Sequence, residues 1–463
     1  MKASLTLVAA SLLLAACSTP PARPDSGLPA PASWHTANTP AAQADKRQWW
    51  SQFASPELEQ LIAQARSGSF DLAAAVARVR QAQASAVIAG APLLPELKGG
   101  LNASRQKLLR GKGYSQLDAT SDNKAVDNFD ASLSASYEID FWGGRHAARD
   151  SALLGLQASE FDQATVELTL LSGVANSYTQ VLALEQQSRI AQLNLDNALN
   201  VLKLVQTRYD SGSATALELA QQQSLVAAQQ RQLPLVQQQA EETRITLAAL
   251  LGQPVQDLRL GNQDFAQLQW PSINAGLPSE LLTRRPDIAS AEARLAAAQA
   301  DVKVARAAML PSVTLTASLG SGSSHAPDLL RSPFYNLGAG LVTPIFNAGR
   351  LSAERDKATA RQEELLESYR AAIINGFADV EKALNSIRGL DQQRQWQSEE
   401  LKQAQRAFEI AQSRYQAGAE DLLTVLETQR TLYAAQDLNV QLRLARLQSS
   451  IALYKALGGG WNQ

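Results

Sequence analysis

The sequence predicts an α+β membrane protein in which a few transmembrane β-strands feed very long α-helices, and in which one fold unit occurs twice. Three observations carry this. Phe129, Ala131, Leu133, Ala135, Tyr137, Ile139 and Phe141 take every odd position of one stretch, with Asp130, Ser132, Ser134, Ser136, Glu138 and Asp140 between them. A helical pattern opens at Arg145 and does not stop for about 65 residues. A segment ending at Pro95 returns in recognisable form ending at Pro311.

The alternation puts one apolar and one wet face on an extended strand. About 12 residues at roughly 3.3 Å each cross a tilted path through a bilayer's hydrocarbon layer. Phe141 and Trp142 close the run, where aromatic rings favour the membrane–water boundary, and Gly143-Gly144 break it.

The start of the chain points the same way. Lys2 and the short apolar run Leu5–Ala16 form a removable signal, too short to span as a mature helix. Leu14-Ala15-Ala16 before Cys17 look like a bacterial lipobox, so Cys17 is expected to be acylated and to become the mature N-terminus. It is the single cysteine, which excludes a disulfide within the chain. From Ser18 to about Pro40, Pro, Ala and Ser predict an extended tether. Lys+Arg 42 against Asp+Glu 44 gives no field that would draw nucleic acid. No apolar run after the signal is long enough for a transmembrane helix.

The duplication is extensive. Asp71, Arg78, Gln83 and Pro95 recur as Asp287, Arg294, Gln299 and Pro311, a shift of 216 residues. Thr207-Arg208-Tyr209-Asp210-Ser211-Gly212 recurs as Ser413-Arg414-Tyr415-Gln416-Ala417-Gly418, a shift of 206 that also pairs Leu217 with Leu423 and Gly252 with Gly458. The difference fits the longer polar loop from about Lys107 to Asn128. A repeat of this length is a doubled fold unit, each copy reading helix, strand, loop, strand, very long helix, turn, helix.

Val313–Leu319 and Tyr335–Leu341 supply the second unit's strands, and a weaker one near Leu97–Arg105 makes four. Four strands cannot close a barrel, and open edges in lipid leave backbone groups unsatisfied, so several chains must share one. Two chains give eight strands with a filled interior; three give twelve and a lumen.

The helices suit a tube. Gly349 to Gln416 makes a rod of about 100 Å at about 1.5 Å per residue. Leu366, Tyr369, Ile373, Phe377, Val380, Leu384 and Ile387 step by threes and fours, a coiled-coil seam. Pro234 should kink or split the helix after the first turn, near Arg231; Val440, its repeat partner, carries no such break.

Several motifs together resemble the TolC-like outer membrane factors, nearest their lipidated OprM/NodT branch. They are Trp49-Trp50 with Phe53 before Pro56-Glu57-Leu58, Ile139-Asp140-Phe141-Trp142-Gly143, and Arg284-Arg285-Pro286-Asp287 with Ala291-Glu292. Thr343-Pro344-Ile345-Phe346-Asn347-Ala348-Gly349-Arg350, the two Arg-Tyr-x-x-Gly turns and Leu457-Gly458-Gly459-Gly460-Trp461 complete the set. The resemblance implies a homotrimer with a 12-stranded transmembrane β-barrel, continued by a long periplasmic α-helical coiled-coil barrel and lipid-anchored in the cell outer membrane. It implies the exit duct of a tripartite efflux system for small molecules. The tip turns, with Arg208, Gly212, Arg414 and Gly418, would meet a periplasmic membrane-fusion adaptor and through it an inner-membrane pump, RND before ABC. The alternatives are the duct of an ATP-driven MacB-type or type I secretion system, or a structural coiled-coil envelope lipoprotein, which the four strands disfavour. The corresponding organisation is a signal peptide over 1–16, a lipid-anchored segment over 17–48, repeats over 49–258 and 280–463, and a connector over 259–279.

After the turn at Gly418, Asp421, Thr424 and Glu427 share one helix face, and threefold symmetry would stack them, with Glu218, as rings at a periplasmic aperture. The family usually has aspartate where Glu427 stands and often a basic residue near Glu420. A solvated acidic first turn is the competing account of these residues. Tyr209 and Tyr415 are the candidate clasps, since a phenol packs its ring and also hydrogen-bonds. Arg285 and Asp287 fit a helix cap and surface pair. Three scattered histidines, His35, His146 and His325, offer no metal-ligand spacing, and no phosphate loop or nucleophile elbow appears, so neither enzyme chemistry nor a cofactor is expected.

Overall fold

The computed structural model describes residues 24–36, 46–107, 125–271 and 273–459. Cys17, the signal, most of the tether, the interior of the 107–128 loop and Gly460-Trp461 lie outside them. The chain divides into two compact units, one built mainly from 78–159 and 291–369, the other from 27–77, 160–290 and 370–463.

In chain order come α1 (Pro56–Gly68), α2 (Phe70–Gly90), β1 (Glu96–Gln106), β2 (Val126–Ile139), α3 (Gly144–Asp210) and α4 (Ala216–Leu250). They are followed by α5 (Pro278–Arg284), α6 (Pro286–Ala307), β3 (Ser312–Ser323), β4 (Pro333–Val342), α7 (Arg350–Gln416) and α8 (Leu422–Ala456). The order helix, strand, strand, long helix, helix therefore occurs twice. Lengths repeat too: α3 and α7 have 67 residues each, α4 and α8 have 35.

The first unit holds a four-stranded antiparallel sheet in the order β1-β2-β3-β4. Its register keeps the two faces distinct across every strand. Gly99 lies opposite Leu133, Leu133 opposite Leu319, and Leu319 opposite Tyr335, so odd residues share one face. That face carries Leu97, Leu101, Leu133, Leu315, Leu319, Tyr335, Leu337 and Leu341, all exposed. Ser132, Ser134, Ser136, Thr314 and Thr316 share the other. A one-residue slip would interchange the two sets, which is why the register is well specified. Phe334 breaks the polar pattern and lies across Gly320, where a Cβ would meet its ring at 2.7 Å.

β2 differs from its expected span. It starts at Val126 and stops at Ile139, leaving Phe141 and Trp142 beyond it. The cause is Asp140. Its carboxylate accepts the backbone N–H groups of Arg145 and His146 at 3.0 and 2.9 Å, supplying partners for the open end of α3. The chain must turn there. Both aromatic residues are exposed, and Trp142 donates its indole N–H to the Pro311 carbonyl at 2.7 Å.

Pro234 does not split α4. The helix runs unbroken from Ala216 to Leu250, missing the hydrogen bond that the proline nitrogen cannot donate. Buried Leu225, Val226, Val236 and Leu247 hold it on both sides of the proline. The α7 seam lies as expected, with Tyr369, Ile373, Val380 and Leu384 buried and Leu366, Phe377 and Ile387 half-buried.

The second unit's main core gathers the N-terminal aromatics. Trp49 stacks on Tyr454 at 5.2 Å and meets Phe53 edge-on at 6.0 Å. Tyr178 donates to a Glu57 carboxylate oxygen at 2.7 Å, and the other oxygen accepts from the Gly261 N–H of the connector. Arg285, nearly buried, joins three helices: it holds Asp287 through two bonds of 2.9 and 2.7 Å, Asp379 at 3.0 Å and the Ala456 carbonyl at 3.3 Å. Burial pushes the Asp287 carboxyl up, but the Arg285 guanidinium outweighs it and holds the carboxyl below the usual range. Stability from this pair is present above the ordinary carboxylate pKa and lost as pH falls through the lowered one.

The glycines that end α4 and α8 have a structural job. Gly252 and Gly458 adopt φ of 72° and 87°, and a Cβ on them would stand 2.2 Å from the Gly68 carbonyl oxygen and 2.0 Å from that of Arg284. Gly418, at φ 74°, has open space around it. Gly418→Ala should therefore cost about 1 kcal/mol, the left-handed penalty alone. Gly458→Ala should cost more than about 3 kcal/mol, because backbone must move. Thermal unfolding of the two variants checks the ranking; equal midpoints would contradict it. Arg285→Met should lower the same midpoint at neutral pH and flatten its decline in acid, since the guanidinium that most lowers the Asp287 carboxyl is then gone.

Candidate functional site

Two turns, each joining a 67-residue helix to a 35-residue one, hold most of the residues singled out from the sequence. Both are built by the same backbone chemistry. Gly212 and Gly418 each adopt φ 74°, the left-handed residue that commonly ends a helix. The next N–H groups turn back, Ser213 to the Arg208 carbonyl at 2.7 Å and Ala419 to the Arg414 carbonyl at 2.9 Å. The following helices then start on side-chain caps. Thr215 and Glu218 form a reciprocal capping box on α4. Asp421 caps α8 by accepting the Thr424 N–H at 2.8 Å.

These caps revise the expected acidic face. Asp421 is not inside the helix but precedes it, in extended conformation, and only Thr424 and Glu427 lie on α8 itself. The hydrogen bond from the Thr424 N–H holds the Asp421 carboxyl below the usual carboxylate range. Glu218 is occupied locally, its carboxylate accepting the Thr215 N–H at 2.6 Å and the Thr215 hydroxyl at 2.9 Å. Asp421 and Glu427 are exposed and Thr424 is half-buried. Glu420 pairs with Arg414 at 3.2 Å and accepts from the Thr424 hydroxyl at 3.3 Å, so Arg414 is the cation at Glu420.

The tyrosines separate. Tyr415 is buried in a core with Val205, Leu225, Phe408, Leu422 and Val425, whereas Tyr209 is exposed. Arg208 joins the two turns: its guanidinium lies 4.6 Å over the Tyr415 ring and donates to the Tyr415 carbonyl at 3.0 Å. Its repeat partner Arg414 closes only its own turn, with a further bond to the Ala419 carbonyl at 3.2 Å.

A buried polar chain beside this core is not evident from the sequence. Gln429 donates to the Tyr433 hydroxyl at 2.7 Å, and that hydroxyl donates to the Asn194 carbonyl at 2.8 Å. Gln222 donates to the Ala198 carbonyl at 2.8 Å. The one signal for it is a glutamine at a position where the helical spacing calls for Leu or Val.

Comparison with known proteins agrees with this geometry. The family model described as outer membrane efflux protein matches residues 61–253 and again 277–459, once for each repeat. The chain is 68% identical over 459 residues to the pyoverdine export outer membrane protein OpmQ of Pseudomonas aeruginosa, covering 99% of this chain and 97% of that one. It is 61% identical, with the same coverage, to the protein of that name from Pseudomonas putida. The crystal structure of the open state of the Neisseria gonorrhoeae MtrE outer membrane channel superposes with a TM-score of 0.85 at 27% identity, over 96% of this chain and 98% of that one. The chain therefore belongs to the outer membrane efflux protein family and is an outer-membrane exit duct of an efflux system, in a class of channels and not of enzymes.

Proposed function

We propose that this chain is the outer-membrane duct of a tripartite system exporting pyoverdine, working as a homotrimer with one 12-stranded barrel. The observation that carries the duct is the sheet: four strands, leucines and a tyrosine exposed along one face, and two open edges. A face of that kind is stable against hydrocarbon, and the open edges require partners there. Two chains would close eight strands around packed side chains; three close twelve around a lumen lined by the serine and threonine face. The cargo rests on the two relatives above 60% identity, both named for pyoverdine export.

The duct performs no chemistry. The tip turns, with Arg208, Gly212, Arg414 and Gly418, present the surface that a periplasmic membrane-fusion adaptor engages, and an inner-membrane pump supplies the work. Cys17 carries the lipid, a secondary hold beside the barrel because one acylated residue anchors only marginally. At the tip, Asp421 and Glu427 from three copies form acidic rings around the aperture. Arg208 on Tyr415 keeps the paired turns together in the closed state.

Removing the gene should abolish pyoverdine release to the medium, with the intact chain restoring it. Undiminished release would exclude this cargo. Native mass measurement in mild detergent should give three copies, and a monomer or dimer would contradict the barrel.

The aperture has its own test. Asp421→Asn keeps the cap while removing the charge; combined with Glu427→Gln it should weaken cation preference in single-channel recordings. Unchanged selectivity would leave both acids as surface charge. Arg208→Ala should raise the open probability, since a cation–π contact of about 1 kcal/mol and a charged hydrogen bond of about 2 kcal/mol vanish together.

A further inference from the structure

A groove of about 480 Å³ lies between the first turns of α3 and the last turns of α6. Trp142, Leu154 and Leu310 form its apolar wall, with alanines between them. Lys303 and Arg306 line it too, one turn apart on the same face of α6, and both are exposed. Among the described residues no carboxylate pairs with either. Asp150, in the same groove, forms no ion pair with them, and His146 is already bonded to Asp140 at 2.6 Å.

The side on which the groove opens follows from α3. Arg145 reaches Glu138, on the polar face of β2, at 2.6 Å. Leu154 is nine residues further along, half a revolution away at about 100° per residue. The groove thus belongs to the side of the sheet's apolar face. Phe141 and Trp142 stand exposed where strand gives way to helix, the level at which aromatic rings mark a membrane boundary.

We propose that this groove seats one anionic phospholipid, its phosphate held between Lys303 and Arg306 and the start of an acyl chain lying against Trp142 and Leu310. The inference rests on the apolar sheet face being the lipid-facing one. Its chemistry is complementary throughout. A guanidinium offers paired donors to phosphate oxygens, and an ammonium adds a point charge. Indole is at home with one edge apolar and the other wet. The site occurs once per chain, because the repeat partners of Lys303 and Arg306 are Val87 and Gly90, which bring no charge.

Native mass spectrometry of the full-length trimer tests this, with phosphatidylglycerol and phosphatidylcholine of identical chains as probes. Phosphatidylglycerol should remain bound and phosphatidylcholine should leave. Lys303→Gln with Arg306→Gln should weaken retention roughly 30-fold, about fivefold for each cation lost, while Lys402→Gln on α7 behaves as wild type. Equal retention by the double variant, or no preference between the two lipids, would overturn the proposal. So would a photocrosslink from a benzophenone side chain placed at Gln299 to a neighbouring subunit, which would show a second copy filling the groove. The trimer's own mass separates the failures: a wrong subunit count refutes the assembly, whereas an intact trimer without the lipid preference refutes this site alone.

Discussion

An unpaired backbone N–H or C=O in hydrocarbon costs several kcal/mol, and β1 and β4 each expose a row of them. Much else in the fold answers to that cost. In the proposed barrel the edge of one chain meets the edge of another, because four strands are too few to close, and the strands' side-chain pattern decides which way the closed sheet faces. The register that sets Leu133 beside Leu319 keeps the leucines together on one face and Ser134 beside Ser318 on the other. Strand pairing and the polarity of each face are thus one arrangement seen from two sides.

Duplication then supplies the same unit twice with little new design, and the glycines show how faithfully. Gly252 and Gly458 bring the end of each 35-residue helix against a backbone carbonyl 2.2 and 2.0 Å from where a Cβ would stand. The approached residues, Gly68 and Arg284, are themselves repeat partners, at the shift of 216. The copies diverge where side chains rather than backbone decide. Thr215 and Glu218 cap one helix, and Asp421 and Thr424 the other. Lys303 faces a groove where Val87 stands exposed in the first copy.

Much of this is legible in the sequence, because period and repetition are local properties of a chain. The strands, the 67-residue helices and the α7 seam follow from spacing alone. What stays hidden depends on contacts distant in sequence. Asp140 ends β2 early because its carboxylate is needed at the start of α3, and alternation continuing to Phe141 gives no hint of that competition. Pro234 is accommodated because buried Val236 and Leu247 hold the helix beyond it, which helix propensity does not describe. The connector is fixed by Arg443, which donates to the carbonyls of Ala266 and Leu268 at 2.6 and 2.7 Å while lying 4.8 Å over Trp270. An arginine deep in a helix gives no sign of such a task.

The two turns differ in how far their bonds reach. Each turn satisfies its own backbone: the glycine returns the chain, the cap receives the next helix, and Glu218 and Asp421 commit their carboxylates to local N–H groups. A turn of that kind moves as a rigid piece without exposing orphan donors. Arg208 is different, for it bonds across to the other turn and covers the ring of Tyr415. Arg414, which could have made the reciprocal bond, is engaged by Glu420 instead. The resistance to separating the turns is therefore concentrated in one arginine and in the packing around Tyr415, while the parts that separate keep their own hydrogen bonds. In the proposed gate that division would matter, because a partner that displaced this cation would leave each turn's own hydrogen bonds intact.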